Sequence, residues 1–220
     1  MPAAQRNSNK RELNKRLRKE NIYAVAVELF RKQGFDETRV EEITQAAGVA
    51  KGTFFNYFPT KEDVLLYIGE RHIARLGAAM ANGSGRRISQ SESAVAALKL
   101  FMRTLADSLA EDKDLVRLAV ERALKISHLA PPGSGRLGFR GLVAILISRG
   151  QRTREFHPDL DPDLVAQVLE GLYYQQLALW CQSDFAFDLG ERLEQVVDLL
   201  VVGIGARHDT PQVATQRRAA

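Results

Sequence analysis

The sequence predicts an all-α protein of about nine helices. Apolar residues recur at the i, i+3, i+4 spacing of a helix face through most of the 220 residues. Helix-capping signals and Gly or Pro residues separate these segments. No segment alternates apolar and polar residues over a useful length, which argues against a sheet. A chain of this length can form one large domain or two small ones with a substantial core.

The first helix is predicted at residues 12–33, with Gly34 as its stop. The residues that form its apolar face are Ile22, Val25, Ala26, Leu29 and Phe30. Residues 1–10 are polar, and we expect them to be a disordered arm. The dense Lys and Arg residues of the first turns fit a nucleic-acid backbone or minor groove. A solvated helix end explains them equally well.

A helix-turn-helix is predicted in the next segment. Thr38 stands three residues before Glu41, which matches a capping box and starts the first of two helices. Gly48 can take the left-handed conformation that ends this helix. The second helix begins near Lys51 and stops before Pro59, because proline disfavours helical geometry in the residue before it.

The second helix of this motif is predicted to have one inward and one exposed face. Phe54 and Phe58 are i, i+4 partners and share the inward face. Lys, Thr, Asn and aromatic side chains occupy the other face. This mixture is the one that contacts phosphates and base edges.

Six more helices are predicted, at about residues 60–81, 89–110, 113–127, 137–149, 161–181 and 188–204. Four of them have clear start signals, namely Thr60 with Asp63, Ser89 with Glu92, Asp161 with Pro162, and Asp188 with Glu191. Residues 82–88 are rich in Gly, Ser and Arg and are the best candidate for a domain boundary. Residues 128–135 contain two Pro and two Gly and are predicted to be a flexible loop.

The charge is unevenly distributed along the chain. Residues 1–61 contain 12 Lys and Arg against 7 Asp and Glu, a net charge of +5, whereas residues 62–220 carry −1. Positive charge therefore coincides with the helix-turn-helix, as nucleic-acid binding requires, although a basic terminus also serves solubility alone. The single cysteine, Cys181, excludes an intrachain disulfide and suits a reducing cytoplasm. We expect neither a membrane span nor a secretory signal.

Residues 17–66 resemble the N-terminal domain of the TetR (tetracycline-repressor) family. The resemblance rests on one unbroken register, ELFRKQGFDETRVEEITQAAGVAKGTFFNYFPTKEDVL. It implies a DNA-binding domain at residues 1–62, a helical ligand-binding and dimerisation domain at 63–210, and a disordered tail at 211–220. Members of this family are homodimeric transcription regulators, mostly repressors, from which a small molecule releases DNA.

The resemblance also implies which residues contact double-stranded operator DNA. The start of the second motif helix meets base edges, and the N-terminus of the first can hold a phosphate. Phe55 stands where Tyr is common, which removes a hydroxyl that would bind phosphate. The implied contacts are Thr38, Arg39, Lys51, Gly52, Thr53, Phe55, Asn56, Tyr57 and Lys61.

By family analogy, a small-molecule effector binds among the helices of residues 91–180. Candidate contacts are Phe101, Met102, Leu105, Glu121, Arg122, Phe139, Leu142, Tyr173, Gln176 and Trp180. Each of them also fits plain core packing, and their apolar bias implies a largely hydrophobic ligand with a few polar anchors. The last two helices carry more apolar residues than one face needs, so we expect them to form the homodimer interface.

Other chemistries are not predicted. Four acidic residues have the spacing of an EF-hand: Asp159, Asp161, Asp163 and Glu170. Leu164 replaces the Gly that such a loop requires, and helix capping explains the aspartates better. The four histidines lack metal-ligand spacing, and Cys181 fits an inert buried thiol better than a redox sensor. Because no catalytic motif appears, we expect no enzyme activity, no cofactor and no metal site.

The predicted function is a ligand-responsive repressor that binds a palindromic operator as a dimer. A pivot of the helix at residues 60–81 would couple the effector to DNA release. One alternative is a DNA-binding regulator with a filled C-terminal core, controlled by a protein partner or by no ligand. The other is an all-helical enzyme that contains a helix-turn-helix-like segment by chance.

Overall fold

The computed structural model describes residues 3–81, 88, 91, 93–125 and 138–204. These residues form nine α-helices and no β-strand, which confirms the predicted fold class. The helices are α1 (Ala3–Gln33), α2 (Val40–Ala47), α3 (Lys51–Tyr57), α4 (Lys61–Ala81), α5 (Ala94–Ala110), α6 (Lys113–Lys125), α7 (Phe139–Arg152), α8 (Pro162–Gln182) and α9 (Leu189–Ile204). Within this part of the chain, no helix is both long enough and apolar enough to cross a membrane.

The chain divides into two compact units. The first is Met1–Gly69 with Asp114–His128, and the second is Glu70–Lys113 with Leu129–Ala220. The division falls inside α4. Most of α6 belongs to the first unit, although it is distant from that unit along the chain. Residues 82–87 of the predicted boundary at 82–88, the loop at 128–135 and the tail at 211–220 lie outside the described residues.

Three of the predicted helix starts are confirmed. The backbone N–H and the hydroxyl of Thr60 both donate to the Asp63 carboxylate at 2.7 Å, and the Asp63 N–H donates back to that hydroxyl at 3.2 Å. Asp161 accepts the N–H of Asp163 at 3.0 Å, with Pro162 in the first turn. Asp188 accepts the N–H of Glu191 at 2.8 Å.

The start of α5 differs from the expected position. This helix begins at Ala94, and the Ser93 hydroxyl accepts the N–H of Ala96 at 3.3 Å. The predicted cap formed by Ser89 and Glu92 lies outside the described residues. Ser93 is the same residue type as Ser89, one turn later along the chain.

The starts of α1 and α2 also differ from the prediction. Helix α1 begins at Ala3 rather than near residue 12, because the Gln, Arg, Lys and Glu residues there are good helix formers without a stop signal. The predicted capping box of Thr38 with Glu41 is wrong. The buried Thr38 hydroxyl donates to the Gly34 carbonyl at 2.7 Å. Helix α2 starts one residue later, where the Glu42 carboxylate accepts the N–H of Arg39 at 2.8 Å.

In the first unit, α2 and α3 form the predicted helix-turn-helix. Gly48 ends α2 at φ +65°, and the N–H of Val49 returns to the Thr44 carbonyl at 3.0 Å. Phe54 and Phe58 are fully buried, as their spacing predicts, with ring centres 5.9 Å apart. This aromatic anchor fixes which side of α3 faces solvent.

In the second unit, α5 packs against α9 and α7, and α7 packs against α8. Arg103 on α5 links to α9 through the Glu194 carboxylate at 3.0 Å and to Asp188 at 3.1 Å. The α7 backbone at Gly150 lies close to the buried Phe156 ring, where a Cβ would come within 2.2 Å of a ring carbon. The close approach at Gly150 packs the end of α7 against Phe156 and against Ala94 at the start of α5.

Candidate functional site

The exposed side of α3 carries most of the residues expected to contact DNA. Lys51, Gly52, Phe55 and Asn56 are exposed, and Thr53 and Tyr57 are half-buried. The Phe55 ring is 42% exposed and packs edge-on against Phe54, with ring centres 5.4 Å apart. An exposed Phe held in one orientation offers an apolar contact for a thymine methyl group.

Lys51 forms an ion pair that the sequence does not predict. Its ammonium binds the carboxylate of Glu41, the second residue of α2. The hydrogen bond and the charge of Lys51 lower the pKa of Glu41, so this carboxylate is ionised at neutral pH. The spacing of ten residues across a turn gives no sequence signal, because the contact depends on how α2 and α3 cross.

Thr38 and Lys61 support the loop between α1 and α2. The Lys61 ammonium donates to the carbonyls of Phe35 at 2.6 Å and Thr38 at 2.8 Å, and it lies 4.3 Å from the centre of the Phe35 ring. Thr38 is buried and bonds to Gly34. Both side chains therefore already have partners, and their phosphate contacts stay predictions.

Two of the ten effector candidates belong to the first unit. Arg122 on α6 donates to both carboxylate oxygens of Asp36 at 2.7 Å, and its guanidinium lies 4.8 Å from the centre of the Phe35 ring. Glu121 beside it is exposed. The other eight candidates belong to the second unit. The contact of Arg122 with Asp36 joins positions 86 residues apart, which no local pattern predicts.

The remaining candidates include a buried aromatic cluster in the second unit. Phe101 of α5 lies 5.7 Å from Phe139 of α7, which in turn stacks on Tyr173 of α8 at 5.1 Å. Met102, Leu105 and Leu142 are also buried. The cluster has the apolar character expected of the effector contacts, and its rings pack α5, α7 and α8 together.

Two polar groups of α8 lie at this core. Burial, reinforced by Tyr174, raises the pKa of Tyr173 well above 10, so its hydroxyl remains a donor. The side-chain oxygen of Gln176 is buried and accepts no hydrogen bond from any described residue. A buried acceptor without a partner costs about 1–3 kcal/mol. A ligand N–H or O–H at this oxygen would therefore bind favourably.

A small surface cleft also lies in the second unit. It has a volume of about 190 Å³ and is lined by Lys113, Trp180, Phe187 and the start of α9. Trp180 donates its indole N–H to the Phe187 carbonyl at 2.9 Å, and the Lys113 ammonium lies 5.6 Å from its ring centre. Of the predicted effector contacts, Trp180 alone lines this cleft.

The side chains that could suggest a metal or redox site instead cap a helix, form an ion pair or lie in the core. Asp161 caps α8, and Glu170 is buried in an ion pair with Arg140. Cys181 is buried. Within the described residues, no three His, Cys, Asp or Glu side chains come close enough together to hold a metal ion.

Comparison with known proteins identifies similar regulators. The family model described as bacterial regulatory proteins, tetR family, matches residues 22–68. The crystal structure of Thermus thermophilus FadR, a TetR-family transcriptional repressor in complex with lauroyl-CoA, has 31% sequence identity and a TM-score of 0.67. That match covers 87% of this chain and 97% of the FadR chain.

Two other relatives are similar over most of their length. FadR from Bacillus subtilis in complex with stearoyl-CoA is 25% identical, with a TM-score of 0.58, over 84% of this chain and 98% of that one. The HTH-type transcriptional repressor KstR from Rhodococcus jostii is 26% identical over 86% of this chain and 85% of that protein. The similarity therefore extends beyond the helix-turn-helix into the second unit.

Proposed function

Because this chain belongs to the TetR family of bacterial transcriptional regulators, we propose that it represses transcription as a dimer and is released from its operator by a fatty acyl thioester of coenzyme A. It is a DNA-binding regulator and not an enzyme. In this proposal residues 1–62 form the DNA-binding domain, and residues 63–210 hold the effector and the partner subunit. The two FadR structures contain lauroyl-CoA and stearoyl-CoA, which motivates the choice of ligand.

The buried side-chain oxygen of Gln176, on the same helix as Tyr173, is the observation that best supports this effector. An acyl chain would lie among Phe101, Phe139 and the neighbouring apolar side chains. The pantetheine arm of coenzyme A contains amide N–H groups, one of which could donate to Gln176. The protonated Tyr173 hydroxyl, one helical turn away, could donate to the thioester carbonyl. A purely apolar ligand would leave the Gln176 oxygen without a partner.

The effector is tested by DNA release. An operator is first selected from a random DNA pool with the purified protein, and its binding is followed by fluorescence anisotropy. We expect lauroyl-CoA or stearoyl-CoA to raise the apparent Kd at least tenfold, whereas free coenzyme A and free laurate have little effect. Operator binding that no acyl-CoA of any chain length alters would contradict the effector and favour a regulator controlled by a protein partner or by no ligand.

Gln176→Leu provides a residue-level test of the same site. We expect the variant to bind operator normally and to require about tenfold more acyl-CoA for release, since one buried hydrogen bond contributes about 0.5–1.5 kcal/mol. Gln182→Leu at the exposed end of α8 is the matched control. An unchanged acyl-CoA response in the Gln176 variant would exclude this contact.

We further propose that Lys51 contacts a base and Tyr57 contacts a phosphate. Lys51→Ala and Tyr57→Ala should each weaken operator binding by about 1–3 kcal/mol. Only Lys51→Ala should also change the sequence preference, because phosphate contacts carry no sequence information directly. Equal losses on operator and random DNA for Lys51→Ala would show that this residue contacts the backbone instead.

A further inference from the structure

The ion pair of Lys51 with Glu41 is exposed and lies on the side of the helix-turn-helix that is proposed to face DNA. The side chains of Lys51 and Glu41 are 57% and 62% exposed. The buried side of α2 is formed by Ile43 and Thr44, and that of α3 by Phe54. The pair therefore contributes an ammonium donor and a carboxylate acceptor, side by side, to the surface that contains Phe55 and Asn56.

Stability alone does not account for this pair. An exposed ion pair contributes little to stability, because solvent screens the charges and two long side chains lose freedom. Other contacts already hold the motif, including the buried aromatic residues and the hydrogen bond from Asn21 to the Ala47 carbonyl at 3.0 Å. The main consequence of the pair is to hold the flexible Lys51 chain in one position, which lowers the entropy cost of binding.

A carboxylate at this position also restricts what Lys51 can contact. Glu41 is ionised, and a negative charge is repelled by DNA phosphates. The major-groove edge of a G·C pair is different, because the guanine O6 and N7 accept hydrogen bonds and the adjacent cytosine N4 donates one. The Lys51 ammonium and the Glu41 carboxylate can both bind this edge while they remain in contact with each other.

We propose that Glu41 is a specificity-determining residue, and that Glu41 and Lys51 together read one G·C pair in each operator half-site. Lys51 donates to the guanine, and Glu41 accepts from the cytosine. This inference rests on the DNA-binding function and adds a base contact to it. Glu41 acts on Lys51 as well as on DNA, so the two residues are expected to be coupled.

The test is selection of bound DNA from a random pool with the full chain and its variants, followed by affinity measurements on the selected sites. We expect one G·C position in each half-site whose preference falls roughly tenfold in Glu41→Ala and in Lys51→Ala. The double variant should lose little more than either single variant. Glu41→Gln should shift the preference towards an A·T pair, because a Gln amide can pair with adenine.

Two control variants separate base reading from general electrostatics. Glu37→Ala removes an exposed negative charge from the same unit, and Lys32→Ala removes an exposed positive charge. Both should change affinity for operator and random DNA equally, with no change in base preference. Circular dichroism of each variant verifies folding. Glu41→Gln preserves the size of the side chain and provides the test if Glu41→Ala unfolds.

Three outcomes would overturn the inference. Glu41→Ala could bind all DNA more tightly with unchanged base frequencies, which would mean that the charge of Glu41 only weakens DNA binding in general. Glu41 and Lys51 could affect different positions, or their effects could add fully. If the unmodified protein selects no sequence at all, the DNA-binding function itself fails, whereas selective binding with inert Glu41 variants removes only this inference.

Discussion

Glu155 shows how one side chain can hold a helix start in place. Its carboxylate accepts hydrogen bonds from the N–H of Ala94 at 2.9 Å and from the Ser93 and Thr153 hydroxyls at 2.5 and 2.7 Å. Partial burial raises the pKa of this group, but the hydrogen bonds outweigh burial and lower it to about 2. Glu155 thus adds a second cap, 61 residues away along the chain, to the start of α5.

We predict that Glu155→Gln lowers stability at pH 7 by about 1 kcal/mol, the usual loss for a helix cap. The pKa is about 2 in the folded protein against an ordinary value of 4.5, so the ionised group stabilises the folded state above pH 4.5. This contribution is lost as the pH falls towards 2. Denaturant titrations of both proteins between pH 7 and 2 measure it, with exposed Glu28→Gln as control. A difference that does not change with pH would contradict the assignment.

At the scale of residues, local sequence patterns predicted the burial of side chains whose contacts are close along the chain. Phe54 and Phe58 were predictable from their i, i+4 spacing, and their burial is confirmed. The capping box of Thr38 is wrong, because Thr38 with Glu41 and Arg39 with Glu42 have the same spacing and the helix uses the second pair. The Thr38 hydroxyl donates to the Gly34 carbonyl instead. The Glu41 partner of Lys51 was not predictable, because it depends on the crossing of two helices.

At the scale of elements, α6 has a role that the sequence did not indicate. Its residues from Asp114 belong to the first unit, while the chain before and after that segment belongs to the second. Arg122 binds the Asp36 carboxylate and covers the Phe35 ring, and Lys61 faces the same ring. The loop that leads into α2 is therefore held by cations from α4 and α6. Family analogy had placed Arg122 at an effector.

We predict that Arg122→Ala weakens binding to operator and to random DNA alike, by about tenfold, without changing the sequence preference. The physical reason is that the Asp36 loop sets the position of the α2 N-terminus, which is proposed to hold a phosphate. Fluorescence anisotropy on both DNAs measures the effect, with Glu121→Ala as the neighbouring control. Asp36→Asn should reproduce it, and the double variant should add little. Normal DNA affinity combined with a lost acyl-CoA response would instead return Arg122 to the effector site.

The positions of the helices were easier to predict than the elements against which they pack. The caps at Thr60, Asp161 and Asp188 are chemical signals within three residues, and all three are confirmed. The assignment of α6 to the first unit rests on contacts across more than eighty residues. Hydrophobic periodicity indicates that a helix face is buried, but it does not indicate which element covers that face. The packing of α6 in the first unit was therefore not predictable from the sequence.

At the scale of the whole molecule, the sequence predicts the apolar core of the second unit but not the polar group within that unit. The apolar character of the core was predictable, and seven of the ten effector candidates are buried there. The Gln176 oxygen, which has no hydrogen-bond partner among the described residues, was not predictable, since this depends on the exact packing around α8. The functional hypothesis thus rests on the family for its outline and on this side chain for its chemistry.

We propose that two copies of the chain meet through the exposed apolar side chains of α8 and α9. Leu164, Val168 and Leu179 lie along one side of α8, and Leu199 and Val202 of α9 are 76% and 87% exposed. Monomeric proteins rarely expose such a set on adjacent helices, whereas a two-fold dimer buries it. These five residues form the proposed dimer face.

We predict that Leu199→Glu converts the protein to a monomer at micromolar concentration and weakens operator binding at least a hundredfold. A charge at the centre of the proposed face would be buried without a partner, and a monomer can read only one half-site. Light scattering measures the mass, and anisotropy compares the full operator with a single half-site, which should bind the variant and the unmodified subunit equally. Ile145→Glu, an equally apolar and 55% exposed position on α7, should remain dimeric. If Leu199→Glu remains a dimer with full operator affinity, the subunits meet elsewhere, and the apolar face of α8 and α9 needs another partner.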